Sequence, residues 1–151
     1  MNFFGKKKAI IVDLDGTLCD VEHRVHFVLK NPKDWDGFNQ NMHLDRMNVW
    51  CLEIIKAMRA LGYQTIFVTG RGEDHRKPTV EWLIKHQVPY DLLLMRPARD
   101  HREDNDIKEE LYLSKVKSEF DILFVIDDRK SVVERWRKLE LVCLQCAPGD
   151  F

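Results

Sequence analysis

Short, unbroken apolar runs recur along the chain at 9–14, 63–69, 91–95, 121–126 and 141–146. Runs of this length, without polar alternation, predict strands buried on both faces. Between them the spacing changes. Met47, Trp50, Cys51, Ile54, Met58 and Leu61 fall at intervals of three and four and predict one helical face, which Gly62 ends as a C-terminal cap. A second helix is expected to start near Pro78, a residue suited to a first turn, and to bury Val80, Leu83 and Ile84. Further helices are expected over 107–118 and 131–139. Strands alternating with helices give an α/β fold: a Rossmann-like five-stranded parallel sheet with helices on both faces, its ligand site at the carboxyl ends of the strands.

One stretch breaks the alternation. From Cys19 to Leu44 the sequence offers no strand pattern and is rich in His, Asn, Asp and aromatic residues, among them His23, His26, Phe27, Trp35, Phe38 and His43. It is expected to form a small lid insertion over 19–45, after the first strand. Val25, Phe27, Val28, Trp35 and Phe38 give it enough apolar surface to argue against disorder. Core packing is the favoured role of Trp35 and Phe38, with stacking on a nucleic-acid base as the competing one. The histidines read as ordinary polar residues rather than as a second metal site.

Composition adds bounds. At 151 residues, 44% apolar and 32% charged, the chain fits one domain over 1–151, large enough to bury roughly 70% of its unfolded surface. The 24 basic and 25 acidic residues nearly cancel, which excludes a polybasic nucleic-acid coat and long-range membrane attraction; any anion site must be local. No apolar stretch approaches the roughly 20 residues of a membrane span. The opening Met1 to Lys8 puts its charges after two phenylalanines, the reverse of a secretory leader. Cys19 and Cys51 are isolated, and the Cys143/Cys146 pair falls at the last strand rather than at a helix start, so reduced, structural thiols and a cytoplasmic protein are expected.

The chemistry gathers at the strand ends. Asp13 and Asp15, at i and i+2, close the first strand, and Gly16 lets the chain turn away. Asp127 and Asp128 close the fourth. Four acids at one sheet edge repel one another unless neutralised, and a hard cation with oxygen ligands, Mg²⁺, resolves this. Opposite charge is also at hand. Thr69, Gly70, Arg71 and Gly72 follow the second strand and offer a hydroxyl and backbone N–H groups suited to phosphate oxygens. Lys108 can place a point charge on a transferring group.

Asp13-x-Asp15-Gly16-Thr17, Thr69, Lys108 and Asp127-Asp128, in this order, resemble the four motifs of the haloacid dehalogenase superfamily, and Asp15 places the chain with its phosphatases. The stretch from Arg99 to Glu110, the run from Ile126 through Arg137, and the ending Ala147 to Phe151 resemble the phosphatase domain of the phage polynucleotide kinase 3′-phosphatases. The resemblance implies catalytic roles for Asp13, Asp15, Thr69 and Lys108. Asp13 would be the nucleophile that forms an aspartyl-phosphate, and Asp15 an acid that starts protonated and later activates water. Thr69 and Lys108 would hold the phosphoryl oxygens. It further implies substrate contacts at Gly70, Arg71, Arg102 and Asp104, and a metal held by Asp13, Asp15 (through its carbonyl), Asp127 and Asp128. No G-x-x-x-x-G-K-[ST] loop is present, so no 5′-kinase activity is expected of these residues.

The lid is too short to be a separate cap, which favours a polymer end over a small ester. The expected substrate is a nucleic-acid 3′ end, DNA or RNA. Arg71, Arg76, Lys77, Arg96, Arg99 and Arg102 could track a backbone, although the interleaved acids fit a solvated mixed-charge surface equally well. A nucleotidase-like small-molecule phosphatase and a non-catalytic end-binding module are the alternatives. No membrane partner is expected; a homodimer and a fused or separate kinase partner stay open.

Overall fold

Four consecutive buried residues, Ala9 to Val12, carry the centre of the sheet. The structure, a computed structural model, describes residues 5–149. Strand β1 (Lys7–Val12) is flanked by β4 (Gln64–Gly72) on one side and β6 (Phe120–Asp127) on the other, both parallel to it. Strands β5 (Leu92–Arg96) and β7 (Cys143–Gln145) complete a five-stranded parallel sheet in the order β5-β4-β1-β6-β7. The chain first winds outward from β1 through β4 to β5, then crosses to β6 and β7. That reversal opens a crevice beyond the carboxyl ends of β1, β4 and β6, where such sheets bind ligands.

Alternate residues of β1 face opposite layers. Ile10 and Val12 join Phe67, Leu93 and the helices α2 (Val49–Ala60) and α3 (Arg76–Lys85). Ala9 and Ile11 join Ile66, Val68 and the helices α4 (Asp104–Lys115) and α5 (Lys130–Lys138). Helices therefore cover both faces, as the apolar runs imply. Among the described residues no helix is long and apolar enough to cross a membrane, and all four cysteines are free.

Several local expectations change. The face α2 buries is Cys51, Leu52 and Ile55, while Trp50 and Leu61 are exposed. Both sets satisfy helical spacing, and the sheet surface beneath the helix selects between them. Gly62 does end the helix: at φ +92° it accompanies bonds from Gly62 N to Arg59 O (3.0 Å) and Tyr63 N to Met58 O (3.0 Å), the Schellman pattern. Helix α3 starts two residues before Pro78 and buries Thr79, Trp82 and Leu83, leaving Ile84 exposed. Helix α4 starts at Asp104 rather than 107.

The stretch after β1 is not strandless. Cys19–Asp20 (β2) pairs antiparallel with Arg46–Met47 (β3), a two-residue ladder too short to show periodicity in sequence. Between them lie a 3₁₀ turn (Glu22–Phe27) and the helix α1 (Trp35–Gln40), capped by Asp34, whose Oδ1 accepts from Gly37 N at 2.9 Å. Val28 and Phe38 from this stretch are buried in the α2/α3 layer, while Trp35 stays 44% exposed.

Candidate active site

The first turn after β1 sets the site. Asp13 N donates to Ile126 O at 3.0 Å, continuing the pairing to β6, and the chain then folds tightly, with Cys19 N donating to Leu14 O at 2.8 Å. Gly16 sits in this turn at φ +84°, and a Cβ there would lie 2.2 Å from Asp128 Oδ2. Only glycine meets both demands.

Two charge clusters result, separated by chemistry. In the first, Asp13, Asp127 and Asp128 bring three buried carboxylates together, with ligand oxygens within 4.8 Å of one another. Lys108, reaching in from α4, donates from Nζ to Asp13 Oδ1 at 2.9 Å and to Asp127 Oδ2 at 2.8 Å. Thr17 Oγ1 donates to Asp13 Oδ2 at 3.3 Å, and Trp136 Nε1 to Asp127 Oδ2 at 3.2 Å. Three carboxylates face one ammonium, leaving two negative charges uncompensated. Burial and the neighbouring Asp127 raise the Asp13 carboxyl well above the usual carboxylate range, and the same two causes push Asp128 up to about 6. Burial works against the Lys108 ammonium, but Asp127 and Asp13 more than offset it and hold it charged. An all-oxygen donor set that is two charges short suits a hard divalent cation, so these residues fit a metal of the Mg²⁺ type.

The Asp15 carboxylate belongs to the second cluster. It is turned from that trio toward arginines: Arg71 donates to its Oδ1 from Nη2 (2.6 Å) and Nε (3.0 Å), and Arg24 from Nη2 (2.7 Å). Asp45 closes the cluster. Its Oδ1 accepts from Arg24 Nε at 2.7 Å, and its Oδ2 from Arg24 Nη2 at 2.6 Å and Arg71 Nη2 at 3.3 Å. Its carbonyl accepts from Trp82 Nε1 at 2.9 Å, and His23 Nε2 lies 2.7 Å from Oδ1. Burial alone would raise the Asp15 carboxyl, but Arg71 and Arg24 hold it far below the usual range. Two guanidinium groups outweigh its desolvation and favour the ionised form, whereas the expectation that Asp15 starts protonated concerns the site with a substrate phosphate beside it.

The remaining candidates divide. Thr69 is buried on β4, its Oγ1 accepting from Arg71 N at 3.1 Å. Gly70 lies against Asp104: a Cβ there would sit 2.4 Å from Asp104 Oδ1. Asp104 also takes Arg129 Nη1 at 2.9 Å and pairs with Arg96, whose Nε donates to Gly70 O at 2.8 Å. Asp104 thus ties the ends of β4 and β5 to α4. Arg71 is buried and spends its donors on Asp15, Asp45 and Thr79. Arg102 is exposed and paired with Asp100 (2.6 Å) and Glu110 (2.5 Å), and Arg76 with Glu73 (2.7 Å), so much of the rim is a mixed-charge surface. Sequence reasoning missed Arg24 and Asp45. The available signal was a single arginine set among Val21, Val25, Phe27 and Val28.

The acid trio with Lys108, and Asp15 and Arg71 of the second cluster, line one cleft of about 490 Å³ at the carboxyl ends of the strands, which Trp35, Asp36 and Asn39 also border, while Arg24 and Asp45 lie buried behind it. A Rossmann-type sheet carrying paired aspartates after β1, a threonine on β4, a lysine from α4 and an acid pair after β6 defines a phosphomonoesterase of the haloacid dehalogenase superfamily. The chain belongs to the family described as the polynucleotide kinase PNKP phosphatase domain, which matches residues 7–151.

Individual relatives agree. The "Putative bifunctional polynucleotide kinase/RNA ligase" of Autographa californica nuclear polyhedrosis virus is 25% identical over 136 residues, covering 89% of this chain and 18% of that protein. A chain in the structure of the Pnkp1/Rnl/Hen1 RNA repair complex superposes with a TM-score of 0.85 at 37% identity, covering 97% of this chain and 44% of the other. The class C acid phosphatase of Bacillus anthracis, with tungstate bound, shares the fold at a TM-score of 0.60 and 17% identity, covering 96% of this chain and 70% of that one. This chain thus spans less than half the length of the first two relatives.

Proposed function

We propose that this protein removes the 3′-phosphate from polynucleotide ends, with Mg²⁺ as cofactor and Asp13 as nucleophile. The observation that carries the reading is Lys108 Nζ lying 2.9 Å from Asp13 Oδ1, in a cleft beneath the carboxyl ends of β1 and β6. A phosphoryl group entering there meets an attacking carboxylate and a fixed positive charge together. The polynucleotide substrate is supported by the family, and by a cleft that among the described residues is bordered by the short 19–45 stretch rather than by a separate cap domain.

In this mechanism the Asp13 carboxylate attacks phosphorus, the bond to the 3′ oxygen breaks, and an aspartyl-phosphate forms. Lys108 and the Thr69 hydroxyl hold the phosphoryl oxygens, and preorganised charge of this kind is usually the largest catalytic term. Asp13, Asp127, Asp128 and the Asp15 carbonyl would hold Mg²⁺, which supplies neutralisation of the phosphoryl charge. Arg24 and Arg71 hold Asp15 ionised, ready to take a proton from water when the aspartyl-phosphate is hydrolysed. The proton needed by the leaving 3′ oxygen then arrives with the substrate, whose monoanion carries one, and Asp15 relays it. Gly70, Arg102 and Asp104 shape the site or its approach. The viral relative's name, a polynucleotide kinase/RNA ligase, and the RNA repair complex of the other suggest work beside a kinase or ligase; a cytoplasmic location is part of the proposal and rests on the sparse, unpaired cysteines.

The test is phosphate release with Mg²⁺ from a 3′-phosphorylated oligonucleotide, the same strand phosphorylated at its 5′ end, and a 3′-nucleoside monophosphate, with Asp13→Asn as blank. Preference for the first substrate is the expected result. Equal rates on all three identify a general phosphomonoesterase, and full activity in Asp13→Asn overturns the covalent mechanism.

A further inference from the structure

The two aromatic residues of α1 both border the cleft but differ in exposure. Phe38 is 3% exposed and packed in the core, whereas Trp35, three residues earlier, is 44% exposed and lines the same cleft as Asp13 and Asp15. Trp82 and Trp136 are buried, and the other exposed tryptophan, Trp50, lies on α2 away from the cleft lining. A large ring left partly in water beside a reactive site is available for contact with something apolar and flat.

Its mounting is rigid. Trp35 opens α1 directly after the Asp34 cap, and its ring meets Phe38 edge-on, with centroids 5.8 Å apart at 89°. Phe38 in turn lies under the Arg24 guanidinium at 4.0 Å, and Arg24 donates to Asp15 at 2.7 Å. A continuous chain of contacts, Trp35 to Phe38 to Arg24 to Asp15, fixes the ring relative to the reacting groups. Lys33 Nζ lies over the ring, 5.5 Å from its centroid; a base stacking on that face displaces it and leaves its charge for a backbone phosphate.

We infer that Trp35 is the platform on which the base of the terminal nucleotide stacks while its 3′-phosphate occupies the site at Asp13. This rests on the 3′-phosphatase reading above and deepens it. The substrate is recognised as a nucleotide end bearing a base of any identity, because every base offers a π-face. Phosphate contacts position the end, and the ring distinguishes a nucleoside from a bare sugar ester.

The experiment compares two 3′-phosphorylated oligonucleotides, identical except that in one the terminal nucleotide is a stable abasic (tetrahydrofuran) analogue. The wild-type protein is expected to show a kcat/KM roughly tenfold or more higher for the base-bearing strand, the scale of one base–aromatic stack. Trp35→Ala is expected to erase that ratio, and Trp35→Phe to keep part of it, with thermal midpoints showing that both variants fold. An undiminished ratio in Trp35→Ala, or no ratio in the wild type, overturns the inference while leaving the 3′-phosphatase reading intact. Phosphate release from neither strand by the wild type overturns that reading, and this inference with it.

Discussion

Arg24 Nη2 donates to Asp15 Oδ1 at 2.7 Å from a side chain with no exposure to solvent. The same guanidinium binds both oxygens of Asp45, and Arg71 reaches both aspartates from β4. Two arginines and two aspartates make this cluster neutral, so it is stable without any added ion. In the neighbouring trio, Asp13 and Asp127 share the one ammonium of Lys108. One sheet edge thus holds a satisfied cluster that fixes Asp15 and an unsatisfied one that calls for a cation. The predictions below follow from that division.

Arg24→Ala leaves two buried carboxylates short of partners, and breaking a buried pair from one side typically costs about 3–5 kcal/mol. Arg24→Lys is expected to recover little of this, because an ammonium cannot fork across Asp15 and Asp45 at once. Chemical denaturation of the two variants checks both statements. A loss below about 1 kcal/mol in Arg24→Ala would contradict the cluster's structural role.

Gly16→Ala is expected to cost more than its small size suggests. The left-handed backbone alone costs an L residue roughly 1–2 kcal/mol, and the added methyl would press on the Asp128 carboxylate at 2.2 Å. The variant should lose stability together with phosphatase activity, whereas Gly62→Ala, also at positive φ but in open space, should lose only the former. Thermal midpoints and phosphate release on the pair separate backbone strain from damage to the site.

Divalent cation is expected to stabilise the fold, because it relieves the uncompensated charge at Asp13, Asp127 and Asp128. Asp128, pushed up to about 6 from an ordinary carboxyl value near 3.8, binds its proton more tightly in the folded state. Its contribution to stability is therefore complete below about pH 4 and is lost as pH rises through about 6. With metal chelated, Asp128→Asn should match the wild type at pH 4 and be the more stable protein at pH 7, and it should gain less from added Mg²⁺. Melting curves across pH 4–7, with and without Mg²⁺, read all three outcomes. A larger Mg²⁺ gain in Asp128→Asn would remove Asp128 from the metal site.

Arg71 and Arg24 favour the ionised form of Asp15, so under the proposed mechanism the leaving 3′ oxygen takes its proton from the substrate monoester. Phosphomonoesters lose that proton near pH 6. With saturating Mg²⁺, kcat/KM is expected to fall as pH rises above about 6. A kcat/KM that climbs from pH 6 to 8 would show that Asp15 obtains its proton elsewhere.

The sequence by itself determined the succession of strands along the chain and the parallel α/β class, and it singled out Asp13, Asp127 and Lys108, which the fold brings together. Unbroken apolar runs mark buried strands through local composition alone, and Asp13 and Asp127 lie at the ends of such runs. Their meeting follows from the topology those runs impose. Only the tertiary structure decided which face of α2 is buried, since Cys51, Leu52 and Ile55 fit helical spacing as well as Trp50 and Leu61 do. It also buried Phe38 while leaving Trp35 half exposed, and turned the Asp15 carboxylate away from the acid trio. Above all, it delivered Arg24 and Asp45 to Asp15 from 9 and 30 residues along the chain. Periodicity reports whether a residue faces inward, but pairing between long charged side chains depends on which elements meet across the core, and that is set by packing.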